Sequence, residues 1–254
     1  MITSPHNPAM KFVRTLAGKA KDRREAGLFL VEGARLVEEL AKSAYGVEKI
    51  YYSEDASARV TKMIPLLEQH DFDCESVAAS VFKTIAETET SQGIVAIAKL
   101  PNDPLNVPLT DSLILIPDQI RDPGNLGTLL RSAVAAGASL VLIPPETVDP
   151  FSPKVVRSAM GAHFMLSIHE LGWDEISNAV KQYNVFVAAA DGEQDLWQAN
   201  LTDPAVLIVG GEAEGAGERS RDLANHTLKI PMEGKIESLN AGVAGSIILF
   251  EALR

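Results

Sequence analysis

A turn after the first strongly apolar run of the C-terminal half carries side chains suited to binding and catalysis. It reads Asp-Pro-Gly-Asn-Leu-Gly over residues 122–127 and follows residues 112–118, which predict a buried parallel strand. Open α/β sheets place ligand sites at the carboxyl ends of such strands, and glycines let a ligand approach the backbone. Asn125 can cap the following helix, and Arg131, about 120° further round that helix, can border the same pocket. The pattern alone is more typical of an N-capped helix with a surface arginine.

A second candidate segment, residues 209–215, ends another apolar run that predicts a buried strand. Gly210 and Gly211 would expose backbone amides and carbonyls to a ligand. A carboxylate among apolar residues is costly unless it is hydrogen-bonded, so Glu212 is either part of a site or exposed in an ordinary turn. The Gly-x-x-Gly spacing of the first turn, from Gly124 to Gly127, fits neither the dinucleotide fingerprint nor the P-loop, which counts against both of those nucleotide-binding classes.

A third candidate segment covers residues 230–251, where a short strand is stopped by Pro231 and a helix follows. Ser238 or Asn240 suits the N-cap of that helix, because its side-chain oxygen accepts a free backbone N–H of the first turn. No charged residue occurs from Asn240 to Phe250, which predicts a helix buried on all sides. Its glycines and alanines would let another backbone approach closely.

The charge distribution predicts RNA contact at the N-terminus. The formal net charge is −11, which argues against bulk non-specific RNA binding, yet residues 11–24 hold six basic residues against Asp22. A solvated helix face is the alternative explanation of this run, and it also applies to two basic residues on a predicted short helix starting near residue 153. The candidate RNA-binding residues are Lys11, Arg14, Lys19, Arg23, Arg24, Lys154 and Arg157.

The order of apolar runs predicts two α/β domains. Residues 1–100 alternate strands and helices and predict a small domain with a central sheet, and residues 101–111, with three prolines and two asparagines, predict a linker. Residues 112–254 repeat a β-α alternation that predicts a doubly wound, mostly parallel sheet. The single cysteine, Cys74, suits a reducing compartment, and we expect a cytoplasmic protein without a membrane segment or a metal site.

Taken together, the three candidate segments resemble the motifs of a known family in order and spacing. They read DQIRDPGNLGTLLRSAVAAG, VGGEAEG and IPMEGKIESLN. They are similar to the motifs of the SpoU (TrmH-like) RNA ribose 2′-O-methyltransferases of the knotted SPOUT superfamily, over roughly residues 110–254. Residues 4–33 resemble the start of the small substrate-binding domain that many of these enzymes carry. The resemblance therefore implies a trefoil knot in the C-terminal domain, which sequence patterning cannot show.

The resemblance also assigns roles to individual residues. It implies that S-adenosyl-L-methionine is the cofactor and that transfer to a ribose 2′-hydroxyl depends on four polar side chains. In the family the arginine at the position of Arg131 is commonly given the role of activating the 2′-hydroxyl. A guanidinium keeps its proton near neutral pH and is a poor general base, so Arg131 could instead hold phosphate and orient the hydroxyl. The family often continues Ser-Leu-Asn with Val-Ser, whereas Ala241 and Gly242 stand here. The catalytic residues implied are Asn125, Arg131, Glu212 and Asn240, and the cofactor-binding residues are Gly210, Gly211, Ile230, Met232, Ser238 and Leu239.

The substrate and assembly follow from the same resemblance. Ribosomal RNA is the first expected substrate, because the N-terminal domain resembles that of ribosomal RNA-modifying members, and transfer RNA is the alternative. Family members generally work as homodimers through the knotted domain, so we expect a homodimer. Two other classes stay open, namely a non-catalytic RNA-binding or ribosome-assembly protein of the same fold and an unrelated nucleotide-binding enzyme.

Overall fold

The structure is a computed structural model that describes residues 1–107, 113–201, 204–212, 215–234 and 238–254. The end of the predicted linker and parts of the second and third candidate segments lie outside these residues. Ten α-helices occur within them: α1 (Pro8–Ala17), α2 (Ala20–Ala26), α3 (Ala34–Lys42), α4 (Ala58–Gln69), α5 (Ala79–Phe82), α6 (Pro123–Ala135), α7 (Pro153–Ala159), α8 (Trp173–Val180), α9 (Glu218–Leu223) and α10 (Ala241–Glu251). The strands are β1 (Leu28–Glu32), β2 (Val47–Ser53), β3 (Cys74–Val77), β4 (Ile94–Lys99), β5 (Leu113–Asp118), β6 (Leu140–Ile143), β7 (Ser167–Glu170), β8 (Asn184–Ala188), β9 (Gln194–Asp195), β10 (Ala205–Gly210) and β11 (His226–Lys229).

The chain divides into two compact units that differ from the predicted domains in one segment. Unit 1 contains Met1–Asn102 and Phe151–Phe164, and unit 2 contains Asp103–Pro150 and Met165–Arg254. Sequence order placed residues 151–164 in the second domain. Within unit 1, however, the rings of Phe151 and Phe29 lie 5.1 Å apart between centroids, and α7 packs against β1. These are contacts between residues far apart in the chain, which composition and periodicity do not reveal.

Unit 1 is built on a four-stranded mixed sheet in the order β1-β4-β2-β3. Strand β4 is antiparallel to β1 and β2, and β2 is parallel to β3. Because successive side chains of a strand point to opposite faces, Leu30 joins the core formed with α1 and α5, whereas Phe29 and Val31 are buried on the other face. Both faces of the sheet are therefore covered, as expected for a small α/β domain.

The N-terminal helical segment is interrupted at Gly18 and forms two helices, α1 and α2. Asn7 caps α1 by accepting the backbone N–H of Ala9 at 2.8 Å, and α1 ends at Ala17. The guanidinium of Arg23 donates to the carbonyl oxygens of Leu16 at 2.7 Å and Gly18 at 3.0 Å. These carbonyls lie at the end of the helix, where oxygens have no partner within the helix. A side chain from α2 thus stabilises the break.

Unit 2 is built on a seven-stranded sheet in the order β7-β6-β5-β10-β8-β11-β9, and every pairing between its described strands is parallel. The predicted α/β class and the mostly parallel second sheet are confirmed. Strand β9 was not predicted, since two residues carry no periodic signal. Among the described residues, no helix is both long enough and apolar enough to cross a bilayer.

Helix α10 packs against α6 and β10 in the middle of unit 2. Gly245, Ile248 and Leu249 are buried along this contact. The prediction that the helix is buried on all sides is wrong, because Val243 is 47% exposed and Phe250 is 50% exposed. An apolar sequence identifies side chains whose exposure to water is unfavourable. It does not show whether other segments of the same chain bury every face of the helix.

Candidate active site

The turn before α6 is held by an aspartate rather than by the predicted asparagine cap. The Oδ1 atom of Asp122 accepts the backbone N–H of Asn125 at 2.8 Å, which makes Asp122 the N-cap of α6. Pro123 follows in the first helical position, where its missing N–H costs nothing. The side chain of Asn125 is therefore released from capping and is available to other groups.

Asn125 lies at the centre of a chain of hydrogen bonds formed by three of the four predicted catalytic residues. Its Nδ2 donates to the Glu212 carboxylate, and its Oδ1 accepts from Asn240 Nδ2 at 3.0 Å. The Oδ1 of Asn240 accepts the backbone N–H of Val243 at 3.2 Å and caps α10. Because an ionised carboxylate only accepts, each amide in this chain has one possible orientation. The three candidate segments thus meet, as the family resemblance implied.

Arg131 lies on an exposed part of α6, further along the same helix. The structure shows no hydrogen bond or ion pair between its guanidinium and another described residue. An exposed guanidinium with uncommitted donors can bind an external anion such as phosphate, and it presents several N–H groups in a fixed fork. This position fits the predicted role of Arg131 in phosphate binding. It excludes a role in holding the side chains of Asn125, Glu212 and Asn240 in place.

A cavity of about 280 Å³ lies at the carboxyl ends of β8, β10 and β11, against the start of α10. Its lining is mostly apolar, with backbone groups contributed by the strand ends. Glu212 also borders it, so the hydrogen-bonded chain lies at its edge. All six predicted cofactor-binding residues line this cavity: Gly210, Gly211, Ile230, Met232, Ser238 and Leu239.

Close backbone approach at the end of β10 explains why glycines stand there. A Cβ atom at Gly210 would overlap the backbone of Gly215 and Ala216, and one at Gly211 would overlap the carbonyl oxygen of Gln119. Gly211 and Gly215 also form an isolated antiparallel bridge. Gly215 and Ala216 therefore lie directly against the end of β10, and Glu212 borders the cavity.

Asp118 anchors this loop and was not singled out by its sequence pattern. It ends β5, is 1% exposed, and its Oδ2 accepts the backbone N–H of Gly217 at 2.7 Å and the hydroxyl of Ser220 at 2.6 Å. A buried carboxylate is stable only with such partners. It joins β5 to the start of α9, on the far side of the loop that carries Glu212.

Several lining residues were also missed. The sequence signal for some of them was a run of small residues, Ala188 to Ala190, directly after a buried strand, which matches the rule that ligands bind at the carboxyl ends of parallel strands. Those on α9 and α10 gave no such signal, since their position depends on packing. The residues missed are Ala188, Ala189, Ala190, Asp191, Val209, Gly215, Arg221, Leu228, Ala241, Ala244 and Ile248.

The predicted RNA-binding residues differ in what their side chains contact. Lys11, Lys19, Arg24 and Lys154 are exposed. The prediction for Arg23 is wrong, because this side chain is 3% exposed and its donors stabilise the end of α1. A long basic side chain in a charged run can serve the fold instead of a ligand.

Arg14 and Arg157 have partners within unit 1. Arg14 donates to the hydroxyl of Thr84 at 3.0 Å and to the carbonyl oxygen of Pro5 at 2.7 Å. Arg157 lies 3.9 Å from the largely buried carboxylate of Glu32. Arg14 is therefore committed to hydrogen bonds within the unit and Arg157 is drawn toward a carboxylate, which makes both weaker candidates for phosphate contact than the exposed lysines.

The fold and the site define a class, namely an α/β protein with a parallel sheet whose polar residues meet beside a cavity at the strand ends. Residues 112–250 match the model of the SpoU rRNA Methylase family, and residues 7–96 match that of the MRM3-like substrate binding domain. The chain belongs to the SpoU rRNA methylase family. The predicted family is thereby confirmed.

Known relatives match almost the whole chain. It is 32% identical to the 23S rRNA (guanosine(2553)-2′-O)-methyltransferase RlmP of Bacillus subtilis (strain 168), over 98% of this chain and 97% of that protein. It is 30% identical to the mitochondrial rRNA methyltransferase 3 of Mus musculus, over 98% of this chain and 73% of that one.

Solved structures of similar proteins superimpose closely. The SpoU methyltransferase AviRb from Streptomyces viridochromogenes, in complex with the cofactor AdoMet, matches with a TM-score of 0.90 and 27% identity over 98% of this chain and 97% of its own. The AdoMet-bound rRNA methyltransferase from Sinorhizobium meliloti matches with a TM-score of 0.88 and 30% identity over 99% and 96%.

Proposed function

We propose that the protein is an S-adenosyl-L-methionine-dependent methyltransferase that modifies a ribose 2′-hydroxyl of RNA, with ribosomal RNA as the first substrate. The observation that carries this proposal is the hydrogen-bonded chain of Asn240, Asn125 and Glu212 at the edge of the cavity. The names of two relatives support the choice of substrate, because one is a 23S rRNA (guanosine(2553)-2′-O)-methyltransferase and the other a mitochondrial rRNA methyltransferase.

The cavity has the chemistry needed to hold the cofactor. Ile230, Leu239 and Ile248 provide apolar walls, and the small residues at the ends of β8 and β10 leave backbone groups accessible to a ligand. Adenine and ribose are suited to such a site, because apolar surface and a few fixed polar groups together give affinity and orientation. When bound, the cofactor supplies a methyl group activated by its sulfonium, and the protein supplies position and electrostatics.

The polar residues position the RNA ribose. The fixed amides of Asn125 and Asn240 and the carboxylate of Glu212 offer donors and acceptors beside the cavity, so a ribose bound there loses rotational freedom before attack. Arg131 binds the adjacent phosphate and orients the 2′-hydroxyl. Because a guanidinium does not release its proton near neutral pH, the hydroxyl proton leaves to water or to a phosphate oxygen.

Substitution of Arg131 tests this division of roles. We expect Arg131→Ala to reduce methyl transfer by about 100-fold or more, as for loss of one positioned donor, while the affinity for S-adenosylhomocysteine measured by calorimetry stays unchanged. Arg219→Ala, which removes another exposed arginine of unit 2, is the matched control. Near-normal methylation by Arg131→Ala would show that Arg131 has no part in the reaction.

The substrate class is tested by transfer of labelled methyl groups into unmodified ribosomal RNA and transfer RNA. Nuclease digestion followed by nucleoside mass spectrometry should give a 2′-O-methyl nucleoside from ribosomal RNA or its assembled subunit. Product from transfer RNA alone would favour the alternative substrate. Absence of both product and S-adenosylhomocysteine binding would favour the non-catalytic RNA-binding class.

We propose that the exposed basic residues of unit 1 contact the RNA. Three of them, Lys11, Lys19 and Arg24, lie within the basic N-terminal run. Charge reversal at Lys11 and Lys19 should weaken RNA binding and reduce its dependence on salt concentration, because fewer counterions are then released. Cofactor affinity should not change. RNA binding with an unaltered salt dependence would contradict this assignment.

Three further features of the family are proposed for this chain. A homodimer is supported by the exposed apolar residues Val243 and Phe250 on α10, and Phe250→Glu should yield monomers in light scattering.

A trefoil knot is supported by the return of α10 to α6 and β10 after β11, a path that can be traced in a crystal structure. A cytoplasmic location is supported by the lone, unpaired Cys74 and can be checked by fractionation.

A further inference from the structure

The cavity has a charged pair in its otherwise largely apolar wall. Asp191 follows β8, Arg221 lies on α9, and both line the cavity. The Nη2 atom of Arg221 is 3.8 Å from Oδ1 of Asp191, which exceeds the length of a normal hydrogen bond. The pair is therefore not closed, and a ligand with its own charges can satisfy both residues at once.

Structural stabilisation does not account for this pair. The side chain of Arg221 is 44% exposed and that of Asp191 is 79% exposed, and ion pairs this accessible to water contribute little to folding. The Nε of Arg221 donates to the carbonyl oxygen of Ala216 at 3.3 Å, which fixes the base of the guanidinium relative to the loop after β10. The Nη groups extend from this fixed base toward Asp191.

The chemistry of the pair matches one part of the proposed cofactor. The adenosine part of S-adenosylmethionine is uncharged, whereas its amino-acid part carries a carboxylate and an ammonium group on adjacent atoms. Among the described residues that line the cavity, Arg221 is the only cation. A guanidinium binds a carboxylate through two parallel hydrogen bonds, and a neighbouring carboxylate can accept from an ammonium.

We propose that Arg221 binds the α-carboxylate of the amino-acid part of the cofactor and that Asp191 accepts its α-ammonium. This inference rests on the proposed function, because it assigns residues to the same cavity. The contacts are made away from the reacting methyl group. Binding energy from such remote contacts orients the reacting centre, so the pair serves both affinity and alignment.

Two ligands separate this role from a general effect on the cavity. S-Adenosylhomocysteine carries the amino-acid part, and 5′-methylthioadenosine lacks it. Calorimetry should show that Arg221→Gln weakens S-adenosylhomocysteine binding about 10-fold to 100-fold, the range of one charge-assisted hydrogen-bonded contact, and leaves 5′-methylthioadenosine within about twofold. Asp191→Asn should show the same selectivity with a smaller loss.

The chain offers a closely matched control. Arg219 lies on the same helix, its Nη1 is also 3.8 Å from an aspartate oxygen, that of Asp174, and it does not line the cavity. Arg219→Gln should bind both ligands as the unmodified protein does. Arg221→Lys keeps the positive charge without the fork, so it should recover part of the preference for S-adenosylhomocysteine.

A decarboxylated S-adenosylhomocysteine measures the same contact from the ligand side. It should bind the unmodified protein more weakly than S-adenosylhomocysteine does. Arg221→Gln should bind the two ligands equally, because the variant already lacks the contact that decarboxylation removes. If Arg221→Gln does not fold, the test is the affinity of the unmodified protein for the two ligands. Equal affinity for S-adenosylhomocysteine and its decarboxylated form then overturns the proposal.

The remaining outcomes separate the two levels of the argument. If Arg221→Gln lowers the affinities for S-adenosylhomocysteine and 5′-methylthioadenosine equally, the assignment of Arg221 is overturned. If Asp191→Asn lowers both affinities equally, Asp191 contacts the adenosine part of the ligand instead. If the unmodified protein binds neither ligand, the proposed function itself fails. If it binds both equally, the cavity holds the cofactor but this charged pair does not contact its amino-acid part.

Discussion

Gly245 sits where helix α10 packs against α6, and adding one methyl group there tests how the site is held together. A Cβ at this position would overlap Cδ2 of Leu129 and lie 3.1 and 3.2 Å from the two Cγ atoms of Val209. Leu129 is fully buried, and Val209 is 2% exposed, so neither side chain can swing into solvent. Gly245→Ala therefore forces a shift of the helix or of its neighbours.

The magnitude follows from two opposing terms. Over-packing of a dense core costs about 1–3 kcal/mol, and replacement of glycine by alanine inside a helix gains about 1 kcal/mol. We therefore expect Gly245→Ala to lower the free energy of unfolding by about 0–2 kcal/mol. Since Ala241 and Ala244 on the same helix line the cavity, the affinity for S-adenosylhomocysteine should fall as well.

A double variant makes this prediction decisive. Leu129→Ala alone should cost about 2–5 kcal/mol, because it leaves a cavity. In Gly245→Ala/Leu129→Ala the new methyl group enters the vacated space, so the combined loss should be smaller than the sum by about 1–3 kcal/mol. Urea unfolding followed by circular dichroism measures each term, with Gly234→Ala as a control, since a Cβ there meets nothing within 4 Å. Additive losses would refute the argument.

The remaining predictions concern a buried anchor, a misassigned arginine and an acid-sensitive ion pair. Asp118→Ala should cost about 2–4 kcal/mol in urea unfolding, because two buried donors lose their acceptor, and Asp118→Asn should cost less; equal losses would contradict this. Arg23→Gln should cost about 1–3 kcal/mol and Lys19→Gln less than about 0.5 kcal/mol, and the reverse order would show that Arg23 does not stabilise α1. Hydrogen bonds from Arg59, then Lys42, lower the pKa of Glu38 to about 2 from 4.5. The stability that Glu38 adds is therefore present above pH 4.5 and is lost as the pH falls toward 2. The difference in melting temperature between the unmodified protein and Glu38→Gln should disappear over that pH range and should become smaller in salt. A difference in melting temperature that does not vary with pH would contradict this prediction.

Periodicity in the sequence was enough to place most strands and helices. The apolar run of residues 112–118 predicted the strand found as β5, because a strand's apolar pattern is local. The structure places Asn125, Glu212 and Asn240 in one hydrogen-bonded chain, and the catalytic role that the resemblance gives them stays a prediction.

Two of the three differences depend on contacts between residues that are not neighbours in a helix or strand, and the third is a choice between two nearby cap residues. Arg23 was assigned to RNA by its charge, but its partners are carbonyl oxygens five and seven residues away across a helix break. Asp122 rather than Asn125 caps α6, and both are good cap residues, so composition could not choose between them. Asp118 gave no signal because its two partners lie 99 and 102 residues along the chain.

The long separations within the hydrogen-bonded chain have a consequence for the newly made protein. Asn125 meets Glu212 across 87 residues and Asn240 across 115 residues, whereas the core that α1 and α5 form in unit 1 is drawn entirely from the chain between Ile2 and Ile97. Domains generally fold as units during synthesis, the N-terminal one first. A nascent chain can therefore display its basic surface while its three polar side chains are still apart. The hydrogen-bonded chain is completed only when α10 docks late in synthesis and brings Asn240 to Asn125.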